Sequence, residues 1–264
     1  MTGTSAAPDA ASGWRPRDCH AHTSLSDGEL APSEMVRVVR SRGALPSVAD
    51  HISRDVRYSV ASLDELRAYF DTLDRETGPD VARGGEFCWH DSLWRELPDD
   101  LARRFTHRVG SLHAVLLPGG GQLHMFQKTF PSSLTLDAYM DIHVACVERL
   151  AAEMPVDVFA HPTLLPIPIR GLPLEALWTE AREERAVEAL RRAGIAFEIS
   201  NRYRPHERFV RRAAERGVRI SLGSDGHTRA QVGELTAPLA MARAAGVRDE
   251  DLYDPFRHGS RTLG

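Results

Sequence analysis

Cysteine is scarce in this 264-residue chain: Cys19, Cys88 and Cys146 are the only three, an odd number with no C-x-x-C spacing. That argues against a disulfide framework and against a thiolate zinc site, and it favours a reducing cytoplasmic setting. Lysine is scarcer still, Lys128 being the single one among 33 Lys and Arg, which reads as coding bias rather than chemistry. No run of about 18 apolar residues occurs, so no membrane span is expected. A strong charge imbalance is also absent: the formal net charge of −4 leaves no overall electrostatic footprint for nucleic acid and favours small substrates. The first residues lack the basic start and apolar stretch of a signal peptide, so 1–14 read as a short disordered tail and 15–264 as one domain.

With 42% hydrophobic and 27% charged residues the chain can bury a sizeable core, which excludes disordered, collagen-like and coiled-coil classes. Short apolar runs alternate with longer amphipathic ones, the pattern of parallel β/α architecture. Seven strands are predicted, over 17–22, 44–51, 80–86, 107–113, 156–161, 195–200 and 218–224. Helices are predicted over 33–41, 62–75, 134–153, 174–193, 205–216 and 229–245, with Gly43, Gly194 and Gly217 as stops. Two stretches, 117–130 and 162–173, read as irregular loops of the kind that act as lids or specificity elements. The expectation is one closed or nearly closed barrel.

Six of the 12 histidines end or directly follow a predicted strand, which in a parallel barrel is the active-site face. His20 and His22, spaced i, i+2, point to the same side of the first strand and can grip one ion. Asp27 follows on the first loop. His51, Glu86, His113 and His161 end the next four strands, and Asp225 and His227 end the seventh. Nine imidazoles and carboxylates without a thiolate suit Zn, Mn or Fe held as a hydrolytic cluster, and one bridging carboxylate among nine ligands suggests two or three ions. Elsewhere, His90, His206 and His258 read as surface residues, and Trp89 and Trp94 as either pocket wall or core. His124 is a candidate for touching substrate.

Read together, these segments resemble the polymerase and histidinol phosphatase (PHP) metallohydrolases. His20 to Gly28 is similar to that family's H-x-H-T-x-x-S-D-G, and Asp50-His51 to its T-D-H with Ala49 in place of Thr. Glu86 matches G-x-E, Gly110 to His113 matches G-S-x-H, and His161-Pro162 matches H-P. Gly223 to His227 is similar to G-S-D-A-H, with Gly226 for Ala. The resemblance spans about residues 17 to 230. It implies a distorted seven-stranded (β/α)7 TIM-like barrel with a trinuclear site at the C-terminal rim of the strands. Carried over position by position, His20, His22, Glu86 and Asp225 bind the first ion; Glu86, His113 and His161 the second; Asp27, His51 and His227 the third. Asp50 falls outside the set, with a structural role.

Such a site suits phosphate ester hydrolysis: two cations sharing a water lower its pKa from about 15.7 towards neutrality, supplying a bridging hydroxide, and neutralise the phosphoryl oxygens. Asp27, Glu86, Asp225 and His227 are the catalytic candidates, Asp27 or His227 being the general acid. A phosphate oxygen not met by metal should meet arginine. The segment Glu198 to Arg204 is similar to the E-I-N-T-x-G-x-R of histidinol phosphatases, which puts Arg202 or Arg204 first, followed by Lys128 and Arg170. The expected activity is that of a metal-dependent phosphomonoesterase, with L-histidinol phosphate the leading substrate. Alternatives are action on nucleotides or short oligonucleotides, with Tyr203, Trp89 and Phe126 as stacking residues; a C–N hydrolase; and a non-catalytic metal-binding module.

Overall fold

Ser62, Thr135 and Thr179 each stand one residue before an amphipathic stretch, and each side chain accepts a hydrogen bond from the backbone N–H three residues on. These caps satisfy a donor that the first helical turn leaves unpaired. At the far end Gly194 takes the left-handed conformation that closes its helix.

In the computed structural model, which describes residues 15–260, the helices are α1 (Pro32–Ser41), α2 (Leu63–Glu76), α3 (Asp99–Ala102), α4 (Leu136–Glu153), α5 (Leu174–Leu177), α6 (Glu180–Ala193), α7 (Glu207–Glu215), α8 (Thr236–Ala244) and α9 (Pro255–His258). The strands are β1 (Ser47–Val48), β2 (His51–Ile52), β3 (Ala82–Arg83), β4 (Glu86–Cys88), β5 (Val109–Ser111), β6 (Ala114–Leu116), β7 (Gln122–His124), β8 (Val158–Phe159), β9 (Ala196–Ser200) and β10 (Ile220–Gly223). The tail expected at 1–14 lies outside the described residues. No helix among the described residues is long and apolar enough to cross a membrane.

The main sheet has six strands in the order β10-β9-β8-β5-β4-β2, every neighbouring pair parallel. This differs from the seven-stranded closed barrel expected above: 17–22 forms no regular strand among the described residues. Arg17 and Ala21 make isolated parallel bridges to Leu45 and Gly226, and the segment bonds to the β10 edge of the sheet on one side and to the stretches flanking β1 on the other. Cys19 N–H donates to the Leu222 carbonyl and Asp225 N–H to that of His20, while Asp18 and Ala49 N–H donate to the carbonyls of Leu45 and Ala21. The ladder is interrupted because side chains take part of it. The Asp18 carboxylate accepts from the backbone of His20, Ser224 and Gly233.

Four other expectations change. The predicted strands 44–51 and 80–86 break at Ala49-Asp50 and Gly84-Gly85, so β1 pairs only with β3, and His51 and Glu86 open the next strands opposite each other instead of ending the first ones. The predicted helix 174–193 divides at Trp178, whose side chain is buried and whose carbonyl, like that of Leu177, is taken by an arginine, Arg208 and Arg182 respectively. The helix predicted from 229 begins only at Thr236, since Gly233 sits at φ +74° with its N–H on Asp18. The stretch 117–130 is not wholly irregular: β6 and β7 form an antiparallel hairpin.

Two histidines outside the predicted rim set are held neutral in the packed interior. His143 on α4 lies against Tyr139 and edge-on to Trp178, and burial lowers its pKa to about 4. Burial does the same to His107, also to about 4, with its Nε2 on the Cys19 carbonyl. Both protonate more readily in the unfolded chain, near pH 6.5, so the unfolded state binds more protons below that pH and stability falls with acidification. At pH 5 each costs roughly 2 kcal/mol of stability relative to neutral pH. Thermal unfolding from pH 7.5 to 5 should show the decline, and His143→Phe should flatten it; an unchanged slope would remove His143 from this role.

Candidate metal centre

Glu86 is fully buried, and an isolated carboxylate there would be expensive. Five imidazoles surround it. His51 Nδ1 is 2.7 Å and His20 Nε2 3.4 Å from Oε2, with His22 Nε2 at 3.7 Å; His161 Nε2 is 2.9 Å and His113 Nε2 3.3 Å from Oε1. Burial alone would raise the Glu86 pKa, but His51, His113 and His20 hold it well below the usual carboxylate range. The rest of the expected set continues from this group. His22 is 3.5 Å from Asp225 and 3.6 Å from Asp27, and Asp27 lies 3.3 Å from His227 and 3.7 Å from His51.

Three groupings emerge, each within possible reach of one ion: His20, His22 and Asp225; His51, Glu86 and His113; and His22, Asp27, His51 and His227. They overlap with the sets implied by the resemblance but distribute the histidines differently. His22 and His51 are each shared between two groups, while His161 meets the cluster through Glu86. All nine residues come together.

The donor set fits cations. His22 Nδ1, His51 Nδ1 and Glu86 Oε2 are buried with no hydrogen-bond partner, although His51 Nδ1 and Glu86 Oε2 lie 2.7 Å apart. Buried polar atoms normally are paired, and two donor atoms in contact without hydrogen-bond direction are what two ligands of one ion look like. Burial and the neighbouring His51, His227 and His20 keep His22 well below the usual imidazole pKa, which leaves its lone pairs free for metal. At the outer edge, burial lowers His227 but the Asp27 and Asp225 carboxylates outweigh it and raise it; Asp27 is lowered, His227 and His51 overcoming its burial.

A second layer orients the ligands, and the sequence reading missed most of it. Glu198, fully buried on β9, bonds His20 Nδ1 at 2.8 Å and accepts the His161 N–H at 2.6 Å. A side chain on Gly223 would collide with Glu198 and with the His20 Cβ, so glycine here keeps that contact possible. The Cys88 thiol lies 3.0 Å from His113 Nδ1, and with burial opposed by Cys88 and Glu86 the His113 pKa is raised well above usual. Asp50 accepts from Thr23 N, Thr23 Oγ1 and Ser26 Oγ, the structural role expected of it; burial raises its pKa to about 6. His161 and Asp225 sit at φ +31° and +50°, a strained region for residues with a side chain.

The cluster opens into a cavity of about 410 Å³, in the size range of small-molecule sites. Arg202 lines it, its Nη1 3.0 Å from His227 Nδ1 and 4.0 Å from Asp225. Tyr203, Phe126 and His124 also line it. Arg170 lies behind the wall, its guanidinium 5.2 Å from the Phe126 ring centre and 5.1 Å from that of Tyr203, and bonds the Leu165 and Met125 carbonyls. Arg204 and Lys128 are exposed and outside the lining. Trp89 is core, with Nε1 on Glu153. The loop after β2 was missed altogether. Asp55, Val56, Arg57 and Tyr58 form one wall, yet nothing in their spacing marks them. His90, read as a surface residue, also lines the cavity with its side chain only 1% exposed.

No family model and no curated protein matches the chain. Among solved structures it is similar to a histidinol phosphate phosphatase from Lactococcus lactis subsp. lactis complexed with zinc, L-histidinol and phosphate, at a TM-score of 0.64 and 16% identity, covering 89% of this chain and 95% of that one. An uncharacterised protein overlaps more weakly, at a TM-score of 0.37 and 15% identity over 89% of this chain and 75% of that one. The first likeness is one of fold, and it agrees with the PHP resemblance carried by the sequence motifs.

Replacing Glu86 by Gln should remove two ions from the metal-loaded protein, measured by elemental analysis, and full retention would refute the bridging role. Glu198→Gln should keep the fold but weaken metal binding about 10- to 100-fold, read by competition with a chelator.

Proposed function

We propose that this protein is a metal-dependent phosphomonoesterase acting on a small phosphate ester, with L-histidinol phosphate the leading substrate. The observation that carries this is the convergence of nine imidazole and carboxylate groups, seven of which line one cavity that also presents the Arg202 guanidinium. The fold likeness to a histidinol phosphate phosphatase supports it, and three free, buried cysteines support a cytoplasmic setting. Two or three divalent ions, Zn, Mn or Fe, held by His20, His22, Asp27, His51, Glu86, His113, His161, Asp225 and His227, would acidify water and neutralise phosphoryl charge when bound.

The remaining work belongs to side chains. Arg202 donates its guanidinium N–H groups to phosphoryl oxygens from the solvent side, where a planar fork matches their geometry. Its closeness to His227 and Asp225 ties phosphate orientation to the reacting centre. With two ions held at the other groups, the Asp27–His227 pair at the cavity edge keeps a proton to give to the departing alkoxide, a step in which a nearby acid contributes typically 10²- to 10⁴-fold. Tyr203 and Phe126 wall the space beyond and exclude water from it. Arg170, bonded to backbone carbonyls behind both rings, holds that wall in place. The distorted seven-stranded TIM-like barrel belongs to the same reading, with 17–22 as its seventh, irregular member.

Phosphate release should be measured with histidinol phosphate, a nucleoside monophosphate and an aryl phosphate, on protein reloaded separately with Zn, Mn and Fe. Histidinol phosphate should dominate, at a kcat/KM of about 10⁴ M⁻¹s⁻¹ or above. Silence with every substrate and metal would overturn the phosphatase reading, and preference for the nucleotide would overturn the substrate. Arg202→Ala should lower kcat/KM about 10- to 100-fold, the value of a charge-assisted hydrogen bond left unmade. Arg204→Ala should leave it within twofold.

A further inference from the structure

The cavity holds a second group of metal-type donors that the nine-residue cluster does not use. Asp55 comes from the loop after β2, His90 from the turn after β4 and His124 from the end of β7, so three separate segments bring them together. One ligand atom from each lies within 4.8 Å of the others. His90 Nε2 is 2.8 Å from Asp55 Oδ2, and the His90 and His124 rings meet edge-on with centres 5.5 Å apart. We propose that Asp55, His90 and His124 bind a transition-metal ion of their own on the wall of the cavity, separate from the ions at Glu86.

Three features support the assignment. The first is the donor chemistry: two imidazoles and one carboxylate suit Zn²⁺ or Fe²⁺ and are a poor set for Mg²⁺ or Ca²⁺, which want oxygen ligands. The second is spacing. Two ligands about 2.1 Å from a tetrahedral ion lie about 3.4 Å apart, and the present separations need only small side-chain rotations to reach that. The third is the state of His90. Its side chain is 1% exposed, and its Nδ1 is buried with no hydrogen-bond partner. The nitrogen that an ion would take is Nε2, which already meets Asp55 at 2.8 Å, so the ion would replace that hydrogen bond, and burial already favours the neutral, ligating form.

Asp55 is about half exposed, which gives an ion a path in from solvent. Three protein ligands leave at least one position facing the cavity, so the bound ion would present a Lewis-acidic point to the same cavity as the Glu86 centre. It would meet the part of a substrate that projects away from the phosphate. The assignment does not depend on the phosphatase reading.

The test is metal counting on the full-length chain. Chelator-treated protein is equilibrated with Zn²⁺ or Co²⁺, and bound metal per chain is measured together with the cobalt visible spectrum. His124→Ala and Asp55→Asn change half-buried or exposed residues, and melting curves check that both variants remain folded. Each should bind one ion fewer than the unmodified chain and lose part of the cobalt absorption. In a Glu86→Gln background, which depletes the main centre, His124→Ala should still remove one ion. If His124→Ala and Asp55→Asn both bind as much metal as the unmodified chain at the same free concentration, the site does not exist. If they keep all their metal but bind a cationic amino alcohol at least tenfold more weakly, the three side chains form a substrate contact instead and the proposal fails. Loss of phosphatase activity without loss of metal would likewise count against this site, whereas an inactive protein that loses one ion in these variants would sustain the site and refute only the phosphatase reading.

Discussion

A single buried carboxylate, Glu86, sets the terms for this molecule. Five imidazoles, two from the opening segment and one each from β2, the turn after β5 and the turn after β8, lie within 4 Å of it, and a negative charge in that position is tolerable only because positive or metal-bound groups surround it. His20, His22, His113 and His161 are themselves buried. Neither the acid nor the imidazoles would be stable there alone, so the elements that carry them must arrive together.

The packing around the cluster follows from that demand. Two buried aspartates do parallel jobs: Asp18 ties the 17–22 segment to Ser224 and Gly233, and Asp50 ties the loop beyond His22 to the break between β1 and β2. Glu198 reaches from the opposite side to His20 and to the His161 backbone. These contacts replace ladder hydrogen bonds that a regular barrel would have made, which is why 17–22 is irregular although it is among the most highly constrained stretches of the fold. The strained backbone of His161 and Asp225 is a further consequence, since such conformations persist where the surroundings over-determine them.

Function then depends on what the rim elements place beyond the cluster. The hairpin β6/β7 brings His124 and Phe126 to the cavity, the loop after β2 brings Asp55 to Tyr58, and the segment after β9 brings Arg202 and Tyr203. Cationic, aromatic and metal-type side chains therefore line one space large enough for a small phosphorylated molecule. The hydrophobic core beneath, from Met35 on α1 to Leu239 on α8, holds those loops at their spacing.

The nine metal-type residues were legible in the sequence because each is encoded locally: a histidine or acid at the end of a short apolar run needs no knowledge of distant contacts, and i, i+2 spacing alone puts His20 and His22 on one side. The alternation of strands and helices was legible for the same reason. What the sequence could not specify is partnership across the chain. Glu198 reads as one more polar residue in a strand until folding sets it beside His20, 178 positions away; His90 reads as surface until β6/β7 folds over it; and Asp55 carries no spacing signal at all. Whether His51 belongs with Asp27 or with Glu86, and whether 17–22 is a strand or a bonded irregular segment, turn on which donor reaches which acceptor first in three dimensions. Local patterning determines which residues can do chemistry, and only tertiary packing decides which of them share an ion, a proton or a wall, because those interactions fall off within a few ångströms while the chain separates their partners by tens to hundreds of residues.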